Sequence, residues 1–148
     1  MPTVRRSAIV SRPAEALFAL VEDVERYPEF LPWCASTAVL ERTREVTRAR
    51  LDIAYRGLRT HITTRNVKDP PHGMTLELVD GPFEHFHGQW HFSPLGDGGC
   101  RIDFTLEYAL ASAALRALLG PVFTYVADTM VERFVERAES QAAGEEER

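Results

Sequence analysis

Residues Ser112 to Gln141, SAALRALLGPVFTYVADTMVERFVERAESQ, are the stretch whose reading decides the fold. Leu115, Leu118, Leu119, Val122, Phe123, Val126, Ala127, Met130, Phe134 and Ala138 recur at steps of three and four, with Asp128, Glu132, Arg133, Glu136 and Arg137 mostly between them. That spacing predicts one long helix with a wide apolar face. At ~1.5 Å per residue it would run roughly 40 Å, too long to be covered by one neighbouring helix in so small a protein, so its oily face requires a sheet. Pro121 lacks an N–H and disfavours helical geometry at Gly120, which predicts a kink there, or a short helix followed by the main one.

The sheet is written upstream, where the period changes from 3.6 to 2. Ala49, Leu51, Ile53 and Tyr55 alternate with Arg48, Arg50 and Asp52, and after an Arg56-Gly57 hairpin turn Leu58, Thr60, Ile62 and Thr64 alternate with Arg59, His61, Thr63 and Arg65. Met74, Leu76 and Leu78 follow a proline turn. Phe86, Trp90 and Phe92 then alternate with His85, His87, Gln89 and His91. The cleanest strand carries Cys100, Ile102, Phe104, Leu106, Tyr108 and Leu110 on one side. Short turns between consecutive strands imply antiparallel pairing, with one face oily and the other wet. At the N-terminus, Thr3 to Ser11 reads as a first strand with Val4, Ala8 and Val10 on one side. Pro13 opens a short helix carrying Ala14, Leu17, Phe18, Val21 and Val24, and the Tyr27-Pro28 and Leu31-Pro32 pairs then impose stiff extended backbone.

The chain of 148 residues with 45% hydrophobic content fits one domain, expected over 1–141, with a flexible acidic tail over 142–148. No apolar run is long enough for a membrane span or a signal peptide, which predicts a cytoplasmic protein, peripheral at most to the inner membrane. Cys34 and Cys100 stand apart without CxxC spacing, as buried thiols do. The total charge is −5, yet residues 42–68 hold eight basic side chains against two acidic ones, net +6, which leaves −11 for the rest. The acidic total argues against DNA as a partner.

The element order, strand, short helices, antiparallel strands and long helix, resembles the helix-grip fold of START lipid-transfer domains, polyketide cyclases and the birch pollen allergen. The expected class is therefore α+β: a curved antiparallel sheet of about seven strands wrapped around a long C-terminal helix, with short helices after strand 1. Three stretches resemble a particular family: Asp23-Val24-Glu25-Arg26-Tyr27-Pro28-Glu29-Phe30-Leu31-Pro32-Trp33-Cys34, Val79-Asp80-Gly81-Pro82-Phe83 continuing to Gly88-Gln89-Trp90-His91-Phe92-Ser93-Pro94-Leu95, and Phe123 to Ala138. They are similar to the coenzyme Q-binding START-like family, whose bacterial branch includes ribosome association toxins of the RatA type. The resemblance implies an apolar pocket for ubiquinone or a related isoprenoid or lipid, no required cofactor, and a role in respiration. For the bacterial branch it implies binding to the large ribosomal subunit that blocks subunit association.

Candidate site residues follow from the alternation and the resemblance. Phe104, Leu106, Tyr108, Trp90, Phe123, Val126 and Met130 are expected to line the pocket, with Tyr55 facing inward and Pro32 and Trp33 at the rim; ordinary core packing competes for each. Arg48, Arg50, Arg59 and Arg65 share the wet face and could meet RNA phosphates or lipid headgroups; pairing with Asp52, Glu77, Asp103 or Glu107 competes. His85, His87 and His91 project from one strand face, yet a solvated face explains them better than a metal site, and none is expected. The inward polar residues Thr60, Thr64, Tyr55 and Tyr108 come without an evident acid or base partner, and no phosphate loop or serine elbow occurs. The expectation is a non-enzymatic binder of a hydrophobic small molecule; aromatase/cyclase chemistry would rest on fold analogy alone.

Overall fold

The computed structural model describes the backbone from Thr3 to Glu146 and side chains as far as Gln141. In chain order the elements are β1 Thr3–Val10, α1 Ala14–Glu22, a 3₁₀ turn Val24–Glu29, β2 Cys34–Arg42, β3 Val46–Tyr55, β4 Leu58–Asp69, β5 Gly73–Asp80, β6 Phe83–Pro94, β7 Cys100–Leu110 and α2 Ala113–Glu146. The strands form one curved antiparallel sheet in the order β1-β7-β6-β5-β4-β3-β2, so only β1 pairs with a strand distant in sequence. This is the helix-grip architecture that the residue pattern implies.

Strand alternation converts directly into burial. Along β7, Cys100, Ile102, Phe104, Leu106, Tyr108 and Leu110 are buried and the residues between them are not. Between β3 and β4 the hairpin closes on two residues with positive φ, Arg56 at 49° and Gly57 at 81°, the left-handed pair that matches strand twist. Gly88 on β6 faces inward, where an added Cβ would stand 3.1 Å from Leu76 of β5 and 3.5 Å from Leu106 of β7. Glycine there lets those two leucines close over the bent sheet.

Helix α2 begins at a serine cap, the Leu115 N–H donating to Ser112 Oγ at 3.1 Å and the Arg116 N–H to the Ser112 carbonyl at 3.0 Å. It runs through Gly120-Pro121 as one helix. The division into a short helix and a main one does not occur: Pro121 forfeits a single backbone bond, while Val122, Phe123 and Val126 directly after it are buried and hold the segment in place. The tail expected over 142–148 begins as helical backbone as far as Glu146; its side chains, and residues 147–148 altogether, lie outside the described residues.

Helix α2 packs chiefly on β1, β7 and α1. Strands β3, β4 and β5 curl round to face it from the far side of the sheet. Helix against sheet at one edge, and sheet arching over at the other, leaves space between.

Candidate ligand-binding cavity

That space is a cavity of about 80 Å³. Its walls come from nearly every element: Val21, Val24 and Tyr27 from α1 and the 3₁₀ turn, Ala49, Leu51 and Ile53 from β3, Met74 and Leu76 from β5. β6 and β7 supply Phe83, Phe86, Trp90, Phe104, Leu106 and Tyr108, and α2 supplies Phe123, Val126 and Met130. β4 is the exception in kind, since beside Ile62 it contributes two polar side chains, Thr64 and Asn66.

The proline-stiffened segment between α1 and β2 is an anchor for α2. Tyr27, Phe30 and Trp90 each meet the fully buried Phe134 of α2 edge to face, at ring distances of 5.3, 5.1 and 5.2 Å. Trp33 is 1% exposed, borders the cavity, and donates its indole N–H to Thr129 Oγ1 at 3.1 Å, while its carbonyl accepts from the Ala54 N–H on β3. Burial pushes the Tyr27 hydroxyl well above the ordinary phenol range, and that hydroxyl donates to the Val21 carbonyl. Beside the cavity, Glu22 gathers Arg42 Nε at 3.1 Å, Lys68 Nζ at 2.9 Å and Thr47 Oγ1 at 2.9 Å, closing that side with a satisfied ionic cluster. Glu25, held by two Arg42 hydrogen bonds, lies down at about 2, well below the ordinary carboxylate range.

A family model described as polyketide cyclase / dehydrase and lipid transport matches residues 10–135. The chain belongs to this polyketide cyclase/dehydrase and lipid transport family. Among curated relatives, the ribosome association toxin RatA of Pseudomonas aeruginosa is 46% identical over 135 residues, covering 91% of this chain and 94% of that protein. The mitochondrial coenzyme Q-binding protein COQ10 homolog B of Xenopus laevis is 29% identical over 136 residues, covering 89% of this chain and 56% of the relative. An aromatase/cyclase from a Streptomyces species has the same fold, with a TM-score of 0.81 at 18% identity over 95% of each chain. The family resemblance carried by the three sequence stretches is thereby established.

In this family member, Trp33, Trp90, Phe104, Leu106, Tyr108, Phe123, Val126 and Met130 border the cavity, and Pro32 and Tyr55 do not. Pro32 is exposed, and only its neighbour Trp33 turns inward. Tyr55 ends β3 at the hairpin, where its ring stacks on Tyr125 at 4.4 Å with the Arg56 guanidinium 5.2 Å from its centroid. Thr60 is half-buried outside the cavity lining. Asn66 escaped the sequence reading although it continues the inward series Leu58, Thr60, Ile62, Thr64 by one step.

The outer sheet face is only partly committed. Arg50 pairs with Asp52 at 3.0 Å and Arg65 with Glu77 across the β4–β5 ladder at 2.7 Å, while Arg48 and Arg59 make no ion pair among the described residues. His61 meets Asp80 at 3.0 Å, and His85 stands 3.9 Å from Glu107. Among the described residues no group of three metal-capable side chains converges. No helix among them is long and apolar enough to cross a membrane. Burial raises both thiols, Cys34 up to about 12, so neither is poised as a nucleophile.

Proposed function

We propose that this protein binds an apolar small molecule of the isoprenoid or lipid class, a ubiquinone-like quinone foremost, and presents it to the respiratory chain without catalysing a reaction on it. The observation that carries this reading is the cavity walled almost wholly by apolar and aromatic side chains. Size sharpens it. At roughly 10–15 Å³ per water-sized group, about 80 Å³ takes about six such groups, close to one isoprenoid unit, so a longer tail must leave the cavity. Tyr108 marks a way out, because it also borders an outer groove formed with Glu84, Arg116, Gly120 and Thr124. The name of the Xenopus relative supports a quinone as the ligand.

Native mass spectrometry with lipid extraction, on protein purified from a quinone-producing host, tests the reading. Quinone near one per chain is expected, and less of it in a Trp90→Ala variant. Protein that is empty and also refuses an added short-chain quinone overturns it.

A second reading, association with the large ribosomal subunit, is favoured by the RatA relative, whose likeness spans nearly both chains. The uncommitted guanidinium groups of Arg48 and Arg59 on the outer face would supply phosphate contacts. Co-sedimentation with separated subunits checks it. Binding to the large subunit that weakens as salt rises supports the reading, and absence from the ribosomal pellet at low salt removes it.

A further inference from the structure

The cavity is apolar except along β4, and there one side chain has hydrogen-bonding capacity left over. Asn66 is 6% exposed and borders the cavity, and its Oδ1 accepts the Thr64 hydroxyl at 2.7 Å. Its amide nitrogen has no hydrogen-bond partner among the described residues. The polar groups around it are already spent. Thr47, its cross-strand partner on β3, gives its hydroxyl to Glu22, and Lys68, the next inward residue of β4, gives its ammonium to Glu22 and to the Thr43 carbonyl. The Asn66 nitrogen is not among the fully buried unpartnered atoms, so its two N–H groups stay accessible and can donate to an acceptor on a ligand in the cavity that Asn66 borders.

The geometry points to Asn66 as a carbonyl-recognising subsite, with Thr64 fixing its orientation, for a neutral ligand that carries a quinone or ketone oxygen on an apolar body. This inference rests on the cavity being a ligand site, and it narrows what that ligand is. The surrounding wall supplies no free cation, since Lys68 and Arg42 are both taken by Glu22, so an anionic headgroup would be desolvated without compensation. A hydroquinone fits less well than its quinone: the two N–H groups of Asn66 call for an acceptor, and a phenolic oxygen accepts more weakly than a quinone carbonyl, while one of the two acceptor sites of Asn66 Oδ1 is held by Thr64. The site therefore holds the oxidised form in preference to the reduced one.

Equilibrium dialysis with three probes tests this: a benzoquinone bearing one isoprenoid unit, its hydroquinone kept reduced under anaerobic conditions, and the prenylbenzene of the same skeleton without oxygen. One net hydrogen bond corresponds to about threefold to tenfold in affinity. The wild-type protein is expected to bind the quinone tighter than prenylbenzene by that factor, with the hydroquinone between them. Asn66→Leu should bring all three to within about twofold, through loss of quinone affinity, and Thr64→Val should shrink the preference while leaving Asn66 in place. Three equal affinities in the wild type, or an undiminished quinone preference in a folded Asn66→Leu variant, overturns the subsite and leaves the apolar cavity standing as a binding site. Should Asn66→Leu not fold, the wild-type ranking of the probes decides alone. A wild-type protein that binds none of the probes overturns the subsite and the proposed function together.

Discussion

Around Phe134 of α2, three rings from two parts of the chain, the segment after α1 and strand β6, stand 5.1 to 5.3 Å away. Around Met130, one turn earlier, the same helix faces a cavity. The difference lies in what the sheet and loops send to each place. Tyr27, Phe30 and Trp90 fill the first region, Tyr27 and Trp90 also bordering the cavity, whereas β3 and β4 bring shorter side chains such as Ala49, Ile53, Ile62 and Thr64 to the wall of the second. One helix with a continuous apolar stripe thus makes a close-packed joint and an open site, according to the bulk of its partners.

Three substitutions or conditions would break or sharpen that contrast. The largest effect belongs to the joint. Phe134→Ala should cost about 3–5 kcal/mol in urea unfolding, because three rings lose a common partner and cannot all collapse into the gap. A cost under about 1 kcal/mol would mean the joint is no tighter than the cavity wall. Filling the open region should behave differently: Ala49→Leu places new volume in existing space, so stability should move by under about 1 kcal/mol while ligand uptake falls about tenfold or more. Uptake unchanged by that substitution would separate the cavity from the ligand site.

The smallest effect concerns the ionic side of the interior. Glu25 titrates near 2 when folded against an ordinary value of 4.5, so its pairing with Arg42 stabilises the fold above about 4.5 and is lost as pH falls through about 2. At 52% side-chain exposure, solvent screening holds this contribution under about 1 kcal/mol. Urea midpoints of the wild type should therefore decline more between pH 5 and pH 2.5 than those of Arg42→Ala, and parallel declines would show that the pair contributes nothing.

The sheet, the terminal helix and the Arg56-Gly57 hairpin were legible because each rests on a local signal, a period of 2, a period of 3.6 or a pair of residues suited to positive φ. Pro121 misled for the same reason. Its effect on the backbone is local, but the packing of Val122, Phe123 and Val126 that overrides it comes from elements distant in sequence. The cavity wall divides likewise. Alternation points Trp90, Phe104 and Tyr108 inward, yet it cannot distinguish Tyr55, which turns toward Tyr125 at the sheet's end, from Leu51 four positions earlier. Asn66 was missed because a polar residue late in a strand reads as its frayed end until the neighbouring strands are seen to bury it.

The pairing of β1 with β7 sets Val10 against Cys100 and Thr3 against Glu107. Arg6 of β1 also reaches Asp128 of α2, 122 residues away, at 2.8 Å. Such separations slow folding, since closing so large a loop precedes any reward from the contact. During synthesis the first strand made is among the last to find its place, and until β7 emerges it has no strand of the half-finished sheet to pair with.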